Sequence, residues 1–551
     1  TQDEYTAGIR LASVLGEMWA LRGQTVSNVL ADNRLIDLSR LAQHQALAGA
    51  AYHRPGGISF ALLGGYEYNA QGDEQDGGVA YMAEASGSNI QVENFQTNFQ
   101  ARSSQSFLSP RRQRDDSLVV SLDRDFGEGA QNFFSVKYNN QRREFYIAAD
   151  SAVRNRFDLL SNVFRREAQV LDISNRLQYR PSERTRLTFD GGISNRTIER
   201  GVRHKDLSPS SNAVLDTRVN ELQLYGSLEL AYRMFQAVDG RVEIAYRERE
   251  ERHEVIETDA PLALVQRQEG TARRLGNVSR QTMVRSQQKI DISLRDQLNI
   301  VGSASILRYD TPDTLNTDDR DELQLSFGIE AIHTAGRYLR VSLAADAVLG
   351  HLVYLHRQQS ANNNWNRIIR FSPKVEYTPA AWLRTVNTAE VLANYTVYDF
   401  EDQVAFVRSF SFRQASWSDS TILRLTPHLD LSLVGTVRVY ERGILEWKEF
   451  KERPQNYFVE KSLWPQLSVS VGNRFRVGLG YRYFAQDRYR YFAGVRELER
   501  RLETGGPTAL LEWEQPGFHR LSIQGWREQQ LEDGATIRTI SNLSLKTSIA
   551  L

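Results

Sequence analysis

Nine histidines, no cysteines and a scatter of carboxylates are the residues from which a catalytic or metal site would have to be built. Metal ligation needs three or four donors converging at about 2 Å. No HExxH or HxH pair is present, His351 and His356 merely flank one LVYL stretch, and His204, His253 and His333 are isolated. The loop DTPDTLNTDDRDE gathers Asp310, Asp313, Asp318, Asp319, Asp321 and Glu322 without the ordered DxDxDG spacing of a calcium loop, so it reads as a solvated acidic loop. NNNWN, Asn362 to Asn366, reads in the same way as a loop tip. A GxSxG elbow, a phosphate-binding P-loop and a GxGxxG turn are all missing. The sequence therefore predicts no enzyme, no cofactor and no metal.

The ionisable residues that do follow a pattern lie in alternating segments. In ELQLYGSLELAY, Leu222, Leu224, Gly226, Leu228, Leu230 and Tyr232 occupy one phase, and Glu221, Gln223, Ser227 and Glu229 the other. QVLDISNRLQY sets Leu171, Ile173, Leu177 and Tyr179 against Asp172, Ser174, Arg176 and Gln178. RFRVGLGYRYF sets Phe475, Val477, Leu479, Tyr481 and Tyr483 against Arg476 and Arg482. Period-two alternation is a strand with one oily and one polar face. Charges on the second face are intolerable in a packed sandwich core and natural beside a wet lumen. Asp172, Arg176, Glu229, Arg340, Arg424 and Arg482 are the lumen-facing candidates; their alternative role is mutual salt bridging that stiffens the wall.

The elements that would hold them are hairpins. About ten tight turns rich in Pro, Gly, Asp and Asn separate the alternating segments, among them YHRPGGISF, YRPSERTRLTF, YTPAAWLR and VGNRFRVGLGY. Polar stretches such as Arg200 to Arg218, Arg308 to Glu322 and Arg357 to Arg367 lie between them. Short turns at one end and long loops at the other fit a membrane barrel, and the turn count predicts about 22 strands, or 24 with a further turn at SGSN, Ser86 to Asn89. Tyr and Trp near segment ends, such as Tyr377, Trp382, Tyr395 and Trp447, suit a headgroup girdle. Residues 1–38 are read as a first strand plus loop, or as an amphipathic helix. The last residues alternate strictly, with Leu543, Leu545, Thr547, Ile549 and Leu551 in one phase, and predict a closing strand paired to the first.

Composition is compatible. Lys plus Arg and Asp plus Glu are both 68, which gives no basic excess for nucleic acid. No apolar run reaches about 18 residues, so a spanning helix is excluded, whereas a barrel needs only every second residue apolar. The absence of cysteine fits an oxidising envelope compartment.

These features, together with the terminal SLKTSIAL, resemble the outer-membrane β-barrels of Gram-negative bacteria over nearly the whole chain. The resemblance implies an all-β fold: residues 1–551 as one transmembrane antiparallel up-and-down β-barrel with short periplasmic turns and long extracellular loops. The size resembles that of TonB-dependent transporters, whose plug and TonB box have no room ahead of Tyr52, so energised uptake by this chain alone is not expected. The expected function is a channel or transport barrel passing or partner-gating solutes in the bacterial outer membrane. The alternative is a scaffold that encloses or anchors a partner from a secretion, surface or electron-transfer assembly. The implied partners are outer-membrane lipid and a plug, lipoprotein or other envelope protein.

Overall fold

The computed structural model describes residues 2–32, 41–54, 57–149, 160–204, 216–256, 262–403, 408–472, 474–492, 494–515 and 519–549. Of the predicted long loop Arg200 to Arg218, positions 205–215 lie outside them, as do positions 33–38, the Pro55 and Pro516 turns and Leu551.

The protein is all-β, antiparallel and up-and-down, and divides into two compact units. The first comprises Thr1–Ala231, Glu243–Thr282 and Leu307–Asp319. It begins with β1 (Gln2–Val14), β2 (Trp19–Asp32), β3 (Leu41–Arg54), β4 (Ile58–Gln71) and β5 (Glu74–Val92). There follow β6 (Phe95–Leu108), β7 (Arg111–Gly127), β8 (Ala130–Ala148), β9 (Ser161–Ser182) and β10 (Thr185–His204). Most of β11 (Thr217–Met234) belongs here too. So do one end each of β12 (Val238–Val255), β13 (Asn277–Asp291) and β14 (Asp296–Asp310), with the helix α1 (Leu262–Arg273).

The second unit comprises Tyr232–Val242, Met283–Ile306 and Arg320–Leu551. It carries β15 (Arg320–Ala335), β16 (Leu339–Tyr354), β17 (Asn364–Ala380), β18 (Leu383–Tyr398), β19 (Phe410–Thr426) and β20 (Leu429–Glu446). After a 3₁₀ turn at Trp447–Glu449 come β21 (Lys451–Val471), β22 (Phe475–Phe492), β23 (Val495–Gln515), β24 (His519–Glu532) and β25 (Ala535–Ile549). Consecutive strands pair antiparallel from β1 to β10 within the first unit and from β15 to β25 within the second.

Among the described residues there are 25 strands, against the expected 22 or 24. The ten turns read from sequence fall between strands, but two more exist. Within the described residues 2–32 of the segment 1–38 there is neither a helix nor a single strand: β1 and β2 form a hairpin closed at Leu15–Met18. SGSN is not a turn either. It is a bulge inside β5, where the register with β6 shifts between Gly87 and Ile90 and Asn89 takes a left-handed φ of 57° that Asn tolerates. The chain reverses later, at Glu93, with φ 51°. Loops at the opposite end are also not uniformly long, since β4 and β5 are joined by Gly72 and Asp73, and β24 and β25 by Asp533 and Gly534. In the described pairings β25 has β24 as its neighbour, and the expected seam with the first strand is not among them.

The faces are inverted relative to a water-soluble sheet. Leu222, Leu224 and Leu228 are 37%, 39% and 50% exposed, and Leu479 and Leu543 are 65% and 77% exposed. Fully buried polar groups include Glu67, Arg111 and Glu144. Large apolar side chains left open while charges are covered is the reverse of the usual preference, and it suits a hydrocarbon surround. On β17 the open apolar phase runs Ile369, Phe371, Pro373, Val375, Tyr377, with Trp365 above it and Trp382 below. Nine residues from Ile369 to Tyr377 match the roughly 9–11 that a tilted strand needs to cross a bilayer.

Strands outrun that band. β9 has 22 residues, of which the apolar phase occupies Leu171 to Tyr179. Beyond it the same face turns polar, where Arg218 donates to Glu199 at 2.7 Å and Thr197 to Asn220 at 3.2 Å.

Candidate functional site

The face opposite the apolar phase carries the candidate residues. In the first unit Asp172 sits in register with Lys137 and Ser194, and Arg176 is ion-paired to Asp190 at 2.5 Å. Glu229 shares its face of β11 with Glu221, which takes Arg249 at 3.0 Å. In the second unit Arg340 lines a recess of about 260 Å³ with Glu330, Ser342, Lys374 and Glu376. Lys374 reaches Glu376 at 2.6 Å and Asn299 donates to Glu330 at 2.9 Å. Arg424 stands 3.6 Å from Asp430 and Arg482 3.1 Å from Glu528.

Arg482 has the most elaborate surroundings. Its guanidinium carbon lies 5.4 Å from the Trp464 ring centroid and 5.6 Å from that of Trp526, within cation–π range. Three sequence features create this. Pro465 in β21 and Pro507 in β23 supply no N–H, and the ladders skip there: Leu463 pairs Tyr483 and Gln466 pairs Gly480, while Gly505 pairs Gln529 and Thr508 pairs Trp526. Gly506 sits in register with Arg482, so nothing projects between Arg482 and Glu528 one strand further on.

Sequence reasoning missed a second centre in this unit. Glu460, 8% exposed, accepts hydrogen bonds from Arg438 at 2.7 Å, Tyr440 at 3.0 Å and Gln486 at 2.6 Å. Arg370 likewise lies between Asp346 at 3.6 Å and Glu390 at 3.9 Å. Each residue is unremarkable alone, and only the register across three strands brings them together.

In the first unit a buried network caps the loop-side ends of β4 to β8. Arg111, 1% exposed, is paired to Asp76, donates to Asn69 at 2.9 Å and lies 4.4 Å over the Tyr146 ring. The Tyr146 hydroxyl donates to Asp76 at 2.9 Å, and Gln71 bonds both the N–H (2.9 Å) and the C=O (2.8 Å) of Tyr146.

Among the described side chains the histidines make ordinary polar contacts. His253, His333 and His351 bond Glu251, Asp296 and Asp399 at 2.6, 2.6 and 3.0 Å, and His351 also stacks on Trp365 at 4.1 Å. The His204 and His519 side chains lie outside the described ones. In the acidic loop, Asp319 accepts from the N–H and hydroxyl of Thr311 at 2.7 and 2.6 Å, and Asp313 caps Leu315 at 2.8 Å, so these carboxylates close turns. Among the described residues no group of three His, Asp or Glu is placed to hold a metal. What the polar face can do is present fixed charges, flat aromatic faces and amides along strands.

No family model matches the chain, and no curated protein matches it. Among solved structures it is similar to the FrpB iron transporter from Neisseria meningitidis, at 12% identity over 85% of this chain and 76% of that one, with a TM-score of 0.45. It is also similar to the ferric-catecholate import receptor Fiu from E. coli K12, at 10% identity over 86% and 77%, TM-score 0.42. A third is BauA, the ferric preacinetobactin receptor from Acinetobacter baumannii, at 9% identity over 96% and 85%, TM-score 0.42.

Proposed function

We propose that this chain is an outer-membrane transport barrel of a Gram-negative envelope, in which the polar strand faces line a path for solutes. The observation that carries the reading is the inversion of the faces: exposed Leu, Val and Phe on one phase, ion-paired Arg, Asp and Glu on the other, along strands of 13 to 22 residues. Lipid is the solvent for the first phase and water for the second. Asp172, Arg176, Glu229, Arg340, Arg424 and Arg482 face that water. They set ion preference through the charge they present along the path rather than through chemistry on the solute.

The test is reconstitution into planar bilayers, with discrete conductance steps as the expected result. A folded, heat-modifiable barrel that leaves bilayers silent overturns the open path. Within a conducting protein, the double substitution Arg340→Gln with Lys374→Gln removes two cations from the 260 Å³ recess and leaves Glu330 and Glu376. The reversal potential in a salt gradient is expected to move toward cation preference, and an unchanged potential would show that this recess lies off the conduction path.

A further inference from the structure

At the loop end of β12 the first unit holds a cavity of about 590 Å³. The outward phase of β12 is apolar through Ile244 and Tyr246, 53% and 42% exposed, and then turns polar at Glu248, Glu250, Arg252 and Glu254. The cavity therefore lies beyond the apolar band, in water. Three walls meet at Gly276: a Cβ there would stand 3.3 Å from the carbonyl oxygens of Glu251 and Arg273 and 3.5 Å from Pro312 Cγ. β12 forms one side, the end of α1 the second and the segment after β14 the third. Asn316 donates to the Arg274 carbonyl at 2.8 Å and ties the third wall to the second. Small-molecule sites occupy roughly 300–1,000 Å³, and this cavity falls within that range.

Two observations point to an occupant. The first is Asn277, 7% exposed, which opens β13 and lines the cavity. Its Nδ2 donates to the Leu275 carbonyl at 3.3 Å, which fixes the orientation of the amide, and its Oδ1 is buried with no donor among the described residues. A buried acceptor is rarely left unmade, so the occupant brings an N–H or an O–H.

The second is charge. Glu250, Glu251, Glu254 and Asp313 line the cavity against the guanidiniums of Arg252 and Arg273. Arg252 is engaged by Glu250 at 2.5 Å, and Glu251 is paired to Arg249 and bonds His253 at 2.6 Å. The Arg273 side chain is 73% exposed and lies 3.8 Å from Glu269. Among the described residues Glu254 and Asp313 have neutral donors alone, the Asn220 amide at 3.3 Å and the Leu315 N–H at 2.8 Å. Two carboxylates without a counter-charge favour a cation. No three described carboxylates or imidazoles converge as a metal ion requires, whereas Val278 and Pro312 offer a carbon chain an apolar surface.

We propose that this cavity binds an organic cation with N–H donors, a primary ammonium on a short hydrocarbon chain, which donates to Asn277 Oδ1 and is countered by Glu254 and Asp313. A quaternary ammonium has the charge without the donor, and an alcohol has the donor without the charge. Binding here does not depend on conduction through the lumen, so it stands or falls separately from the transport reading.

The test is calorimetric titration of the detergent-folded full chain, at low salt, with hexamethylenediamine, its fully methylated analogue hexamethonium, and hexanediol. Saturable binding of the diamine at one site is expected, about tenfold or more tighter than either control, as a charge-assisted hydrogen bond supplies. Asn277→Leu should weaken the diamine to a similar degree, with heat-modifiable migration retained. Glu254 is exposed, so Glu254→Gln keeps the fold and is expected to weaken the diamine about threefold or more. That variant decides the matter if Asn277→Leu does not fold. Equal affinity for the diamine and hexamethonium is what a merely acidic surface would give, and it overturns the proposal. Titration without saturation overturns it too, as does a diamine affinity unchanged by Asn277→Leu, which would mean that water satisfies the amide.

Discussion

Arg111→Ala is expected to lower unfolding stability by about 3–5 kcal/mol, because it leaves a buried carboxylate without its counter-charge. Asp76 is 6% exposed and among the described residues would keep the Tyr146 hydroxyl, a neutral donor. The cation also holds Asn69 at 2.9 Å and covers the Tyr146 ring, so the loss spreads through three strands. Removing both charges should be milder than removing one. Arg111→Met combined with Asp76→Asn is expected to unfold later in urea than Arg111→Ala alone, with both measured beside the unsubstituted protein after refolding in detergent. Equal midpoints for the two variants would show that the network is hydrated in solution and that its burial is not what stabilises it.

Gly506→Val is the second large effect. A Cβ at that position would meet the Arg527 carbonyl oxygen at 1.8 Å and the Glu528 Cα at 2.8 Å, both backbone atoms that cannot swing aside. β23 and β24 must then separate, at about 3 kcal/mol, the upper range of overpacking. The valine would also stand between Arg482 and Glu528, now 3.1 Å apart. Two readouts separate the consequences. Thermal or urea midpoints report the strand displacement. Conductance reports the release of the Arg482 guanidinium, which is expected to shift selectivity toward anions as Glu528 moves away. Gly506→Ala should show a smaller shift of both kinds. A Gly506→Val protein with unchanged midpoint would mean that the Gly505–Pro507 stretch already bends freely enough to admit a side chain.

The strand content and the sense of each face were legible because period two leaves little room for error: Leu222, Leu224 and Leu228 fall on the open face as their spacing requires. Arg482 could be placed on the polar phase in the same way. Its partners could not. Glu528 is 46 residues away, and its approach depends on a glycine and two prolines in neighbouring strands whose register no local pattern encodes. The strand count failed for a related reason. SGSN has turn-forming residues, yet Asn89 spends its left-handed conformation on a bulge, while the reversal uses Glu93, a residue without turn preference. The first hairpin was obscured because Ile9, Leu11, Leu15 and Leu21 satisfy both helical and strand spacing over so short a run.

The surplus length of β9 and its neighbours bears on where a solute first meets this protein. The ten residues Ser161 to Val170 precede the apolar stretch, and at about 3.3 Å per residue they extend some 33 Å of strand beyond it. On the proposed placement that is a rigid collar standing clear of the membrane, tall enough to compare with the sugar layer that coats such cells. A diffusing molecule would then be met by ordered protein, through pairs such as Arg218 and Glu199, well before it reached the lipid boundary. Recognition and passage would be separated in space along the same strands.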